Sequence, residues 1–295
     1  MLDTLQKNKD ITQLSNFKTP ASARWYFELN NMNQLSEFKD IIVFAHTQKL
    51  PILLLWWWTN MLFAFDVYEG IVIKNNLSGW NYDSDTQILE TYSNESIWQI
   101  AESLETDYGQ NLWHRFIWLP GSVGWAIFGN AGCFGLEVQH NFLDCEVLNM
   151  STWEVSVFTA RDMQFEYRSS RIKKNNGTFC ILKARFDVSQ KREKYSSDVD
   201  NIYFREHQQP KWNSCGSFFK NPSRENSAGS LIEWVGLKWY HHGWAYFSEK
   251  HANFLMHDGT GRYQDLLELI DLALQKVKDT YTIDLENEVR IIRNP

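Results

Sequence analysis

The run Leu-Pro-Gly-Ser-Val-Gly-Trp-Ala-Ile-Phe-Gly-Asn-Ala-Gly-Cys-Phe-Gly from Leu119 to Gly135 is the part of the chain best suited to holding a ligand on its main chain. Gly121, Gly124, Gly129, Gly132 and Gly135 leave many amides unobstructed by side chains, a surface that suits a pyrophosphate or a flat ring pressed against the backbone. Tight turns between strands explain the same glycines, and the spacing alone does not separate the two. A second unusual segment is Trp56-Trp57-Trp58, between the apolar run Pro51 to Leu55 and the pair Thr59-Asn60. The run reads as a buried strand, and Thr-Asn before Met61-Leu62-Phe63 reads as a turn into the next apolar segment. Such junctions favour small residues that tolerate positive φ, yet this one carries the bulkiest side chains available.

The elements that must position these segments belong to a chain of 295 residues, enough for two or three packed units. Hydrophobic content of 43% with 22% charged residues is that of an ordinary soluble globular protein, while 14 tryptophans exceed the usual share. A net charge of −7 excludes a broad basic face for nucleic acid. Cys133, Cys145, Cys180 and Cys215 form no CxxC pair and read as reduced thiols of a cytoplasmic protein. The amino terminus lacks a signal-peptide pattern, and Ile52 to Phe65 is broken by Thr59 and Asn60, so no membrane span is expected. The eight histidines form no metal-ligand spacing, so no metal is expected. The chain is expected to be a monomer.

Residues 1–75 read as a small α/β unit, with a helix over Leu35 to Phe44 and strands at Pro51 to Leu55 and Gly70 to Lys74. From about 86 to 190, short β-like runs dominate: Ile97 to Ile100, Cys145 to Met150, Val155 to Thr159 and Phe179 to Phe186, in an antiparallel or mixed sheet. The polar stretch 187–210 reads as a linker. In the remaining region, 199–295, Leu266, Leu269, Ile270, Ala273 and Val277 mark one face of a helix, and Leu285 to Ile291 reads as an edge strand.

Four further motifs complete the pattern. They are Tyr167-Arg168-Ser169-Ser170, Gly216-Ser-Phe-Phe-Lys-Asn-Pro222, Ser248-Glu-Lys-His-Ala-Asn-Phe254 and Leu285-Glu-Asn-Glu-Val-Arg290. In this order and spacing the chain, from about Asn16 to Ile292, resembles the UDP-N-acetylenolpyruvoylglucosamine reductases. That resemblance implies an α+β fold: a two-part FAD-binding region of the vanillyl-alcohol-oxidase/reductase type, with subdomains at 1–75 and 76–198, and a C-terminal α/β substrate domain at 199–295. It implies a cytoplasmic bacterial enzyme of peptidoglycan precursor synthesis in which NADPH reduces FAD and the flavin passes hydride to an enolpyruvyl double bond. Its partner would be a UDP-sugar. The short connection from Phe186 to Gly216 looks like that of the compact family type.

Carried over residue by residue, Ser217 falls where the family has its proton donor, a role that a neutral hydroxyl suits. Glu288 matches the second acid-base carboxylate, and Arg168 the fixed positive charge facing a developing enolate or the substrate carboxylate. Tyr167, Lys220 and Asn221 match substrate-contacting positions. Positions 56–60 and Pro120, Gly121, Ser122, Gly124, Trp125, Asn130, Ala131 and Gly132 match the flavin-binding segments. Without the resemblance, Ser217 reads as a turn serine, Glu288 as a solvated glutamate and Arg168 as a surface ion-pair partner.

The departures from the family pattern share one chemistry. The family's Gly-Gly-Gly-Ser-Asn is here Trp56-Trp57-Trp58-Thr59-Asn60, and Trp118, Trp125, Trp239 and Trp244 also fall at family glycines, with Trp212 in a looser alignment. Trp25, Trp98, Trp113, Trp153 and Trp234 fall where a large residue is plausible. One replacement residue at so many glycines is the pattern of an altered chain rather than of drift. A non-glycine residue forced to positive φ costs about 1–2 kcal/mol, and overpacking a filled site about 1–3 kcal/mol. The tryptophans therefore weigh against the fold and, at 56–58, against FAD, whose phosphates need the volume that the indoles fill. Loss of flavin binding and activity is expected, the alternative being a non-catalytic scaffold that keeps UDP-sugar binding. Two other readings stay open: tryptophans serving as core of a differently packed protein, or exposed indoles forming a stacking surface.

Overall fold

The computed structural model describes residues 4–55, 60–175, 177–190, 203, 207, 209–210, 214–223, 225–259 and 261–294. Trp56, Trp57, Trp58, Thr59 and Trp212 lie outside the described residues, as does most of the expected linker. The strands are β1 (Gln6–Asp10), β2 (Ser22–Leu29), β3 (Ile52–Leu55), β4 (Met61–Ala64), β5 (Val67–Asn75), β6 (Trp80–Asp83), β7 (Ile88–Tyr92), β8 (Gly132–Cys133) and β9 (Leu136–Glu137). They continue with β10 (Phe142–Asn149), β11 (Val155–Thr159), β12 (Phe179–Asp187), β13 (His241–His242), β14 (Ala245–Phe247), β15 (Leu255–His257) and β16 (Arg290–Arg293). The helices that matter here are α1 (Leu35–Thr47), α2 (Ile97–Tyr108), α3 (Val123–Gly129), α4 (Ala160–Met163), α5 (Arg171–Lys174), α6 (Ala228–Trp234) and α7 (Tyr263–Tyr281). This is the α+β composition expected from the sequence. No helix among the described residues is long and apolar enough to cross a membrane.

The chain divides into two compact units that interleave in sequence. Unit one takes Met1–Lys7, Arg24–Trp58 and Glu69–Tyr203, and unit two takes Asn8–Ala23, Thr59–Tyr68 and Phe204–Pro295.

A four-stranded sheet, most of whose residues fall in unit one, has the order β1-β2-β5-β3. The strands β3 and β5 run parallel, with Leu53 against Val72 and Leu54 against Ile73. β3 is an unbroken apolar run and β5 carries the apolar core Ile71-Val72-Ile73, because strand segments covered on both faces have no polar side to show. Helix α1 buries Phe38, Ile41, Ile42 and Ala45, one stripe at helical spacing. The larger sheet is antiparallel, in the order β11-β10-β12-β7-β6. Its core includes Trp113, fully buried, with its ring 4.9 Å from that of Phe186 and edge-on to it.

The strand expected at Ile97 to Ile100 is instead the start of α2. Ser96 Oγ accepts the Gln99 amide as an N-cap, and Gly109 ends the helix in the left-handed conformation at φ 66°. Ile97, Ile100, Ala101 and Leu104 are the buried stripe, so the helical period outweighed the β-like appearance of four residues.

Unit two pairs β4 with β16 in parallel, Met61 opposite Arg290 through Ala64 opposite Arg293, and carries a sheet in the order β13-β14-β15. Helix α7 buries the predicted stripe Leu266, Leu269, Ile270, Ala273 and Val277. The edge strand expected at Leu285 to Ile291 begins only at Arg290, because the segment before it spends its amides on another loop of unit two.

The described tryptophans sort differently from expectation. Trp118 and Trp239 stand at φ 63° and 59°, the left-handed region glycine prefers. So does Trp153, at φ 65°, although its ring packs edge-on against Phe38 at 5.9 Å. Each carries the backbone cost of about 1–2 kcal/mol. Trp125 sits in the first turn of α3, a conformation open to any residue, with its ring stacked on Phe128 at 5.1 Å. Trp118, Trp239 and Trp244 are 41%, 52% and 55% exposed, so the expected overpacking does not arise at these three positions. Trp118 lies on Trp98, the ring centroids 4.4 Å apart, which shelters one indole with another.

Candidate active site

Arg168 occupies the tip of a two-residue turn in unit one. The amides and carbonyls of Glu166 and Ser169 exchange both hydrogen bonds, at 3.1 Å each, leaving Tyr167 and Arg168 as the central pair. Arg168 takes the left-handed conformation, φ 54°, and Tyr167 does not, which is the type II pattern with positive φ at the second central residue. The turn is fixed from several sides. Lys173 Nζ donates to Arg168 O at 2.8 Å, and Ser170 Oγ donates to Phe128 O at 2.7 Å while capping α5. The guanidinium reaches back, Nη2 donating to Gly132 O at 2.7 Å, and sits 5.3 Å from the Tyr167 ring. Tyr167 itself is exposed.

The segment that receives Arg168 is the one quoted first for its glycines. Ser122 caps α3, its Oγ accepting the Trp125 amide. Asn130 ends the helix at φ 44° and is fully buried. Its Nδ2 donates to Glu137 Oε2 at 3.1 Å and to Glu166 O at 3.0 Å, and its Oδ1 accepts the Gln139 amide. At Gly132 a Cβ would stand 2.6 Å from Glu137 Cγ and 2.9 Å from Leu136 O, so only glycine lets the hairpin close under the guanidinium. The structure thus brings Asn130, Gly132, Tyr167 and Arg168 together, with Pro120 exposed at one end of the segment and Gly121 at φ 122°. Ala131 donates its amide to Ala126 O and accepts that of Val138.

In unit two, three of the quoted motifs form one ladder. Gly216, at φ 85°, turns the chain into Ser217, which bridges Phe254. Phe219 bridges Asn287 on the other side. Phe218 O accepts the amides of Glu288 at 2.8 Å and Val289 at 3.2 Å, and Lys220 donates its amide to Glu286 O at 2.8 Å. The Glu288 amide is therefore bonded to the carbonyl of the residue that follows Ser217, and both Ser217 and Glu288 are half-buried. Lys220 Nζ pairs with Glu286 Oε2 at 2.8 Å, which holds the Glu286 carboxyl below the usual range. Ser227 is the N-cap of α6, and exposed Asn221 adds an Oδ1 that accepts the amide of the helix's first residue, Ala228, at 3.0 Å.

Arg168 belongs to unit one, and Ser217, Lys220, Asn221 and Glu288 to unit two, so each half of the site stands on its own geometry. The residues that the sequence left without a role are Asn253 and His251. Asn253 Oδ1 accepts the Phe219 amide at 2.9 Å and its Nδ2 donates to Phe219 O at 2.8 Å. His251 Nδ1 accepts the Asn253 amide at 3.2 Å, which places its neutral-form proton on Nε2. Both lie in a motif quoted whole, and the signal that marked them was position in the motif rather than chemistry.

Burial holds the His251 pKa below the ordinary histidine value, with Lys238 acting in the same direction and Glu233 opposing it. A folded-state pKa below the unfolded one means that the unfolded chain takes up the proton first. Stability contributed by neutral His251 is present at neutral pH and is lost as pH falls from the unfolded value through the folded one. The Tm is expected to fall as pH drops below the ordinary histidine value of 6.5, and to fall less, by a few degrees, in His251→Asn, whose amide oxygen accepts the same amide without titrating. Parallel Tm curves for the two proteins would count against this role.

Three comparisons bear on these halves. A family model described as UDP-N-acetylenolpyruvoylglucosamine reductase, C-terminal domain, matches residues 208–292. The chain is 32% identical over 286 residues to the UDP-N-acetylenolpyruvoylglucosamine reductase of Chlamydia abortus, covering 96% of this chain and 92% of that protein. It belongs to the UDP-N-acetylenolpyruvoylglucosamine reductase family. The protein of that name from Chloroflexus aurantiacus is 31% identical over 301 residues, with 98% of both chains covered. The crystal structure of UDP-N-acetylenolpyruvylglucosamine reductase from Thermus caldophilus shares the fold, with a TM-score of 0.76 over 98% of this chain and all of that one, at 22% identity.

Membership of this family implies a flavin, and the described residues answer that implication in two ways. Asn60 Oδ1 is buried with no hydrogen-bond partner, an acceptor suited to a ligand's donor group. The amide cradle expected after Gly121 is narrower than the sequence promised. Val123, Gly124 and Trp125 donate to Glu95 O, Ser93 O and Ser122 Oγ. Asn130, Ala131 and Gly132 form the wall behind Arg168, and Asn130 spends its side chain inside the protein. The described residues fit the flavin at Asn60 and do not fit it as a continuous amide cradle.

Proposed function

We propose that the chain carries the scaffold of an NADPH-dependent FAD reductase that converts UDP-N-acetylglucosamine enolpyruvate to UDP-N-acetylmuramate, with flavin binding lost or severely impaired. The chemistry FAD supplies when bound is carriage of hydride from NADPH to the enolpyruvyl double bond. The observation that supports the reading is the ladder that holds Ser217 beside Glu288. Ser217 holds the proton for the substrate carbon that takes no hydride, and Glu288 is the second acid-base group. Arg168 presents fixed positive charge to the enolate that develops on the substrate. The 1–75 and 76–198 segments form the flavin-binding subdomains, and the region from 199 onward holds the UDP-sugar. The protein acts in the cytoplasm.

Impairment is expected from Trp56, Trp57 and Trp58, because indoles at the family's glycine positions would compete with the phosphates for volume and tryptophan tolerates positive φ poorly. With NADPH, substrate and excess FAD, enolpyruvyl reduction is expected to stay at the level of a protein-free blank. Turnover with stoichiometric FAD would overturn the reading. A second reading, a non-catalytic scaffold that binds UDP-sugar, is favoured by Lys220, whose partner among the described residues is the exposed carboxylate of Glu286, in a pair worth about 0–1 kcal/mol. Calorimetry with UDP and no flavin separates the two.

A further inference from the structure

The motif Ser248 to Phe254 enters none of the steps above, yet its asparagine makes a dense set of contacts in unit two. Asn253 is 1% exposed and engages each of its polar atoms. Its amide donates to His251 Nδ1, and its carbonyl accepts the Phe218 amide at 2.8 Å. Its side-chain oxygen and nitrogen pair with the amide and carbonyl of Phe219, at 2.9 and 2.8 Å. Three of the four contacts therefore grip two consecutive residues, beginning directly after Ser217. On the other side, Phe218 O is the acceptor for Glu288.

We propose that Asn253 is a positioning residue, which sets the Ser217 hydroxyl relative to Glu288 by clamping the Phe218-Phe219 backbone between two segments. The inference rests on the reading of Ser217 as the proton donor. The clamp is needed because Ser217 leaves a left-handed glycine, Gly216, and is joined to Phe254 by an isolated bridge rather than a strand. Only an amide side chain offers a donor and an acceptor side by side, as the Phe219 peptide requires. Aspartate keeps the acceptor and loses the donor. Once protonated it regains one, so Asn253→Asp is expected to recover at low pH what Asn253→Ala does not.

The test has two readouts. The first is amide hydrogen exchange in the full chain as it stands. Asn253→Ala is expected to speed exchange at Phe218, Phe219 and Glu288 about tenfold, while Leu269, Ile270 and Ala273 of α7 keep their protection. In Asn253→Asp the carboxylate keeps the Phe219 amide's acceptor but repels the Phe219 carbonyl, and the protection this costs at Phe219 returns as pH falls into the carboxyl range. The second uses a full chain with Trp56, Trp57 and Trp58 replaced by glycine and loaded with FAD. There Asn253→Ala is expected to lower kcat about 30-fold with KM for the enolpyruvyl substrate within threefold and flavin reduction by NADPH unchanged. Unchanged exchange, a uniform rise across unit two, or an unchanged kcat would overturn the proposal. If the glycine-restored chain never reduces the substrate, the proton-donor reading has failed. Exchange then decides on the clamp: a loss confined to the ladder with low-pH recovery in Asn253→Asp supports it, and any other pattern overturns it.

Discussion

Returning Trp56, Trp57 and Trp58 to glycine together is expected to tighten FAD binding by about 10²–10⁴-fold. The size follows from the backbone. A non-glycine residue held at positive φ costs about 1–2 kcal/mol, so three of them withhold about 3–6 kcal/mol from any state in which the loop cradles phosphates. At about 1.4 kcal/mol per decade of affinity, that is two to four decades. The indole volume adds to the penalty, so the lower end is the firmer bound. Single replacements are expected to recover little, because one remaining indole still fills the space. Fluorescence titration of FAD against the single, double and triple replacements measures the series. An affinity equal in the parent and the triple variant would show that these positions do not hold the cofactor.

Ser217→Ala in the same glycine-restored chain is expected to separate the two half-reactions. Flavin reduction by NADPH needs no proton from this hydroxyl and should proceed at the parent rate. Reoxidation by the enolpyruvyl substrate needs one, and a positioned acid is worth about 10²–10⁴ in rate. The change also creates little strain, since it removes one oxygen from a half-buried residue whose fold contacts run through its backbone. Stopped-flow absorbance resolves both phases. Equal loss in both phases would assign Ser217 to flavin placement, and no loss in either would remove it from the site.

Much of the fold is legible in the sequence because burial imposes a period. The stripe from Leu266 to Val277, the unbroken run at β3 and the Ile71-Val72-Ile73 run of β5 each state which faces are covered. The misread elements are short ones. Ile97 to Ile100 looks like a strand over four residues and like a helix only when Ser96, Ala101, Leu104 and Gly109 are weighed with it. Leu285 to Val289 has a strand's composition but bridges the Ser217 segment instead of joining a sheet.

The site was legible in a different way. Its motifs could be quoted, but nothing in their spacing says that residues 216–222, 248–254 and 285–290 become neighbours. Those contacts span from about 30 to 70 residues of chain and are set by tertiary packing, where local patterns are silent. The same limit hid Asn253, whose role exists only opposite Phe219, and Asn130, whose side chain serves the Arg168 turn rather than a ligand.

The tryptophans also read differently once placed. At Trp118, Trp153 and Trp239 the cost is one of backbone conformation, and at Trp125 the helix of which it is part removes that cost. The described fold therefore tolerates these residues better than a glycine-by-glycine reading suggests. On the proposed reading, flavin binding is the property that tryptophan at 56–58 affects most.

The central claim is that a folded reductase scaffold has lost its cofactor, and the visible spectrum of the purified chain after incubation with excess FAD and desalting tests it most directly. The expected result is a colourless protein that still melts in one cooperative transition. A retained flavin band near equal stoichiometry would contradict the claim, and would mean that the segment around Trp56 to Trp58 accommodates the phosphates with its indoles in place.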